Sequence, residues 1–106
     1  MPAKFVVEIS RTAEADAEAI WTFIAKDNPD AADRFVIELD KQAATLERFP
    51  ERCALIPEND LMGTAYRHLV YGDYRTVFRV AGRRVIVLRI VHGARLMDSS
   101  MFDRHV

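Results

Sequence analysis

The sequence predicts a single α+β domain of order β-α-α-β-β-β, in which an N-terminal strand and a helix hairpin pack on a mainly antiparallel sheet. Three observations carry that expectation. Apolar residues recur at helical spacing through residues 13–25 and again through 32–46. From Tyr66 to Val91, β-branched and aromatic residues run in three short stretches separated by two glycine-bearing turns. A short β-favouring run, Phe5 to Ile9, precedes both. The chain has 106 residues, enough for one domain with a modest core. Residues 1–106 are therefore taken as one unit, with a tail, 96–106, that has no clear period and either folds back or waits for a partner.

Each element has a local reason. After Phe5-Val6-Val7-Glu8-Ile9, either Ser10 or Thr12 can cap a helix, with Glu14 and Asp16 near its positive end. Ala13, Ala17, Ile20, Trp21, Ile24 and Ala25 form its apolar face, and it stops near Lys26-Asp27. Asn28-Pro29-Asp30 restarts the chain as N-cap, first helical residue and favourable acid. The second helix buries Ala32, Phe35, Val36, Leu39, Ala43 and Leu46 and ends before Pro50. So short a link predicts an antiparallel hairpin, with Trp21 and Phe35 in its core. From Phe49 to Ala65, Pro50, Pro57, Asn59, Asp60 and Gly63 predict a loop with at most a short turn around Cys53-Ile56.

Gly72-Asp73 suits a two-residue type II′ hairpin that sets Tyr71 opposite Tyr74 and Val70 opposite Arg75. Val80-Ala81-Gly82 is expected to make a three-residue turn. Following side-chain alternation through both turns puts Leu69, Thr76, Phe78, Ile86, Leu88 and Ile90 beneath the helices. Tyr66, His68, Val70, Arg75, Val77, Arg79, Val85, Val87, Arg89 and Val91 then share an open face. A one-residue error in either turn would reverse part of this assignment.

The charge is divided. Residues 1–60 carry 7 basic against 13 acidic side chains, a net −6, and residues 61–106 carry 8 against 3, a net +5. All the cations of the second part are arginines, whose planar fork suits carboxylates and phosphates. An arginine-lined sheet face therefore predicts an acidic partner. The single cysteine, Cys53, excludes an internal disulfide and fits a reducing compartment. No run approaches the ~20 apolar residues of a membrane span, so a soluble cytoplasmic protein without membrane contact is expected. The three histidines and Cys53 lack metal-ligand spacing, and nothing suggests a nucleotide loop, so neither metal nor cofactor is expected.

Asp27-Asn28-Pro29 with Ala31-Ala32, then Phe49-Pro50, then Tyr74-Arg75-Thr76-Val77-Phe78-Arg79-Val80 and finally Val91-His92-Gly93-Ala94-Arg95 stand in this order. With the order of elements, the chain resembles the ParE/RelE superfamily of bacterial type II toxin–antitoxin toxins over nearly its whole length, and the ParE branch more than the RelE branch. The resemblance implies a toxin neutralised by a cognate ParD-like antitoxin. ParE-like members poison DNA gyrase without a known hydrolytic site, whereas RelE-like members cut mRNA on the ribosome as endoribonucleases.

In the RelE branch, Arg75 matches the arginine of the Tyr-Arg strand motif and Arg95 the one after the last strand's glycine. Such cations would steady a scissile phosphate, with His68 or His105 moving protons. The C-terminal tyrosine of that branch is missing, Met101 and Phe102 standing nearby, and Arg67 and His68 replace its lysines. The resemblance therefore implies a ParE-like, non-catalytic gyrase inhibitor, with the endoribonuclease as the alternative. A domain that kept antitoxin binding but lost toxicity is a third reading. Arg75, Arg79, Arg89, Arg95 and His68 are the expected partner-binding residues. The competing reading makes Arg75 and Arg95 surface arginines bonded to Asp73 or Asp98. His92 is expected to bond the backbone.

Overall fold

A computed structural model describes residues 4–102. Strand β1 (Val6–Ile9) leads into helices α1 (Arg11–Ala25) and α2 (Pro29–Thr45). A connection with a 3₁₀ turn at Pro50–Arg52 and a short helix α3 (Asn59–Met62) reaches β2 (Arg67–Tyr71), β3 (Tyr74–Ala81) and β4 (Arg84–His92), followed by a 3₁₀ turn at Ser99–Met101. The sheet order is β1-β4-β3-β2, with β1 parallel to β4 and the other pairs antiparallel. This is the α+β arrangement expected from the sequence.

Ser10 connects three elements. Its amide donates to Val87 O at 3.0 Å, continuing the β1–β4 ladder. Its hydroxyl accepts from Ala13 N at 3.1 Å as the N-cap of α1 and donates to Leu88 O at 3.1 Å. Asn28 caps α2 through Ala31 N at 3.0 Å, with Pro29 in its first turn. The hairpin's inner side and the facing strands bury Ala13, Phe35, Leu39, Leu46, Phe78, Val85, Val87 and Ile90. Phe35 packs its ring 5.1 Å from Tyr74 and 6.1 Å from Tyr71. Trp21 departs from expectation. It is 38% exposed, because its indole N–H reaches across the hairpin to Asp33 Oδ1 at 3.0 Å instead of turning inward.

The first hairpin turn is as predicted, with Tyr71 opposite Tyr74, Val70 opposite Arg75, and the positive φ (56°) on Gly72 alone. The second turn differs by one residue. Ala81 pairs with Arg84, so the loop is Gly82-Arg83, with Gly82 at φ 60°. The shift carries Val85 and Val87 onto the helix-facing side, against expectation. A bulge then restores parity: Phe78 pairs with Val87 but Val77 with Arg89, leaving Leu88 as the extra residue. Beyond it, Ile90 faces the helices and Val91 the other side, as predicted.

The connection after α2 is more ordered than its composition suggests. Asn59 accepts from Tyr66 N (2.9 Å) and Thr64 Oγ1 (2.7 Å) through Oδ1 and donates to Tyr66 O (2.9 Å) through Nδ2. Ile56 N donates to Tyr66 O and His68 N to Ala54 O, so residues 54–56 lie along the outer edge of β2. The turns therefore fall on either side of the Cys53-Ile56 stretch.

Candidate partner-binding site

The sheet face away from the helices is closed. Ile56, Val77, Val91 and Met97 form a second apolar cluster, with Met62, Tyr66, Met101 and Phe102 packed against it. Tyr66 and Phe102 lie with ring centroids 5.1 Å apart. The connection and the tail thus fold over a surface that alternation alone presents as open. Through Phe102 the tail folds back on the domain; residues 103–106, including His105, lie outside the described residues.

Under this cover Arg75 forms a buried ion pair. It and Glu58 are each only 5% exposed. Arg75 Nη1 donates to Glu58 Oε1 at 3.0 Å, and Nη2 donates both to Glu58 Oε2 and to the carbonyl of Arg95, the latter at 2.7 Å. Met97 N donates to Glu58 Oε2 at 3.2 Å. A bidentate fork of this kind joins charge to fixed geometry. Here it fastens strand β3, the α3 segment and the tail at one point. The Arg75 guanidinium holds the Glu58 carboxyl below the usual glutamate range. The partner of Arg75 is thus neither Asp73 nor Asp98, and its terminal nitrogens face inward.

The other expected residues are dispersed. Arg89 turns around the sheet edge to Asp16 on α1, donating from Nε (2.8 Å) and Nη2 (2.9 Å), and from Nη1 to Met101 O (2.7 Å). Asp16 also accepts Ile90 N at 2.9 Å, satisfying β4 past the end of β1. The hydrogen bonds to Asp16 raise the Arg89 pKa. His68 is half-buried beside the Arg75–Glu58 pair, its Nδ1 without a partner among the described residues. Burial first, and the Arg75 charge second, push its pKa down. Arg79 is half-buried and Arg95 exposed, and neither side chain has an acidic partner among the described residues. His92 takes the backbone role expected of it, its Nδ1 accepting from Ala94 N at 3.1 Å.

The structure therefore gathers Arg75, His68 and the Arg95 backbone, places Arg89 elsewhere, and leaves Arg79 and Arg95 as the accessible cations of the set. Sequence reasoning missed Glu58 and Asp16. Glu58 sits in Pro57-Glu58-Asn59-Asp60, which has the composition of a solvated loop, and Asp16 looks like an ordinary first-turn acid. Among the described residues, no group of three or more His, Cys, Asp and Glu side chains is placed to hold a metal ion, and no helix is long and apolar enough to cross a membrane.

On the helix side, a cleft of about 270 Å³ opens between the start of α1, the end of α2 and the sheet. Ile9, Ala17, Val36, Leu39, Val87 and Ile90 supply its apolar lining. Its only charged lining residues are Glu14 and Asp40, so it suits an apolar segment carrying a cation.

The order of elements and the sheet topology are those of the ParE/RelE toxin fold. The chain is similar to a structure of the chromosomal ParDE toxin–antitoxin system from P. aeruginosa, at 23% identity and a TM-score of 0.64, covering 84% of this chain and 96% of that one. It is also similar to a structure of the toxin–antitoxin complex RelBE2 from Mycobacterium tuberculosis, at 24% identity and a TM-score of 0.56, covering 84% and 98%. No match was found among curated proteins. The family described as ParE toxin of type II toxin–antitoxin system, parDE, matches residues 7–97, and the chain belongs to that family.

Proposed function

We propose that the protein is a ParE-like inhibitor of DNA gyrase, neutralised by a cognate ParD-like antitoxin. The observation that carries this reading is the state of Arg75. A ribosome-dependent nuclease needs that cation turned toward a phosphate. Here both terminal nitrogens are occupied by Glu58 and the Arg95 carbonyl beneath a packed tail. The ParE family match over residues 7–97 supports the same choice.

For the antitoxin, the cleft between hairpin and sheet offers apolar surface with Glu14 and Asp40 beside it. An apolar segment with a neighbouring Lys or Arg fits there by burial and charge. Arg79 and Arg95 are available for carboxylates of the same partner. The test is a supercoiling assay with purified gyrase. Inhibition by the wild-type chain, relieved by the antitoxin, is expected. Unchanged supercoiling at large excess, with cuts in translated mRNA, would move the assignment to the endoribonuclease.

A further inference from the structure

Phe49 adopts a conformation that phenylalanine normally avoids. Its φ of 48° and ψ of 54° lie in the left-handed region, where every other positive φ among the described residues belongs to a glycine: Gly63, Gly72 and Gly82. A bulky side chain there is strained, and such strain persists only where neighbours impose it. Those neighbours are identifiable. Arg52 Nη1 donates to the carbonyls of Arg48 (2.9 Å), Phe49 (3.1 Å) and Thr45 (3.5 Å), while Nη2 donates to Thr45 Oγ1 at 3.0 Å. Pro50 follows, fully buried, and fixes the chain beyond.

The strain yields no internal packing, since the Phe49 ring is 64% exposed. A glycine or asparagine would satisfy the same backbone at lower cost. Around the ring lies an open hollow lined by Lys41, Arg48 and Arg52, with Glu47 as the lone acid, itself paired to Lys4 at 3.7 Å. An exposed aromatic on a constrained backbone, flanked by cations, thus stands out from an otherwise acidic N-terminal part of the chain.

We infer that Phe49, with Arg48 and Lys41, is an anchor that inserts into an apolar pocket bordered by carboxylates on the target protein. The inference rests on the gyrase reading above and names the surface that meets the target. Aromatic and arginine anchors dominate such contacts, and a pre-set conformation spares ordering cost on binding. A protein surface fits better than a nucleic acid, because Glu47 and Glu38, ion-paired to Lys4 and Lys41, stand among the cations and would repel phosphates.

The experiment compares wild type, Phe49→Asn and Arg48→Glu in gyrase supercoiling, thermal melting, and binding to a fluorescein-labelled oligo(dT). Phe49→Asn is expected to melt at or a few degrees above wild type, since relieved strain raises Tm, and to require at least tenfold more protein for half-inhibition. Arg48→Glu should be at least fivefold weaker with Tm unchanged. Supercoiling inhibition by Phe49→Asn within twofold of wild type overturns the inference while leaving the gyrase reading intact. A lower Tm for Phe49→Asn makes the ring structural and also overturns it. Oligo(dT) binding lost only in the variant assigns the patch to nucleic acid and overturns the protein contact. A wild-type chain without effect on gyrase defeats the function reading first, and this contact with it.

Discussion

The two faces of the sheet are held by different physics. The face under the hairpin is mainly apolar, with Phe78, Val85 and Val87 fully buried against Phe35, Leu39 and Leu46 and Thr76 as its buried polar strand residue. The other face carries a smaller apolar cluster closed by one buried ion pair between residues 17 positions apart. Burial on the first face is distributed, so losing one side chain costs transfer and cavity energy and no more. On the second, removing one member of the pair leaves a charge in a dry site, where the loss exceeds what the pair contributed. Arginine on a strand is thus no measure of an available cation.

Substitutions on the two faces sharpen that contrast. Phe78→Ala should cost about 3–5 kcal/mol, the largest effect expected, measured by urea unfolding. Arg75→Ala should cost about 3 kcal/mol by stranding Glu58, whereas Arg75→Met with Glu58→Leu should recover most of it. A double variant no better than the single would break the distinction between the faces. Arg89→Ala should cost about 1–2 kcal/mol, because Asp16 keeps its bond to Ile90 N. Ser10→Ala should cost about 1 kcal/mol through the lost cap of α1.

The pH dependence separates the two charged groups of the second face. The Glu58 pKa is lowered in the fold, so its contribution is present above the ordinary value of 4.5 and is lost as pH falls below it. The His68 pKa is also lowered. The unfolded chain therefore takes up that proton first, and stability should fall as pH drops below 6.5. Melting curves should show the slope just below pH 6.5 in wild type and lose it in His68→Gln, while the slope below 4.5 should become shallower in the double variant, Asp98, whose pKa is also lowered, keeping part of it.

The helix hairpin was legible because its signals are local. Asn28-Pro29 and the apolar spacing at 32, 35, 39 and 46 specify α2 without reference to distant residues. The sheet was legible up to its second turn. There, one residue decides parity, and the bulge at Leu88 that compensates has no marker in an aliphatic run. The expected site was read least well. That Arg75 and Arg79 share a side of β3 follows from alternation, whereas Arg89 joins them only because the bulge at Leu88 offsets the shorter turn, and what lies over them depends on tertiary partners. Glu58, Asp16 and the Arg95 carbonyl reach those arginines from elements whose position no spacing in the sequence reveals. Phe49 shows the converse: a left-handed phenylalanine looks like any loop aromatic until its dihedral angles are known.

Arg75 locks the second face, and the proposed inhibition of gyrase does not use it as a catalytic or contact group. The half-inhibitory concentration for supercoiling, measured for the Arg75→Met, Glu58→Leu variant against wild type, tests this most directly. A folded variant that inhibits within about threefold of wild type is expected, since the replacement keeps the lock apolar and packed. A variant that melts as wild type does yet has lost inhibition would contradict it, because Arg75 would then be acting on the target itself.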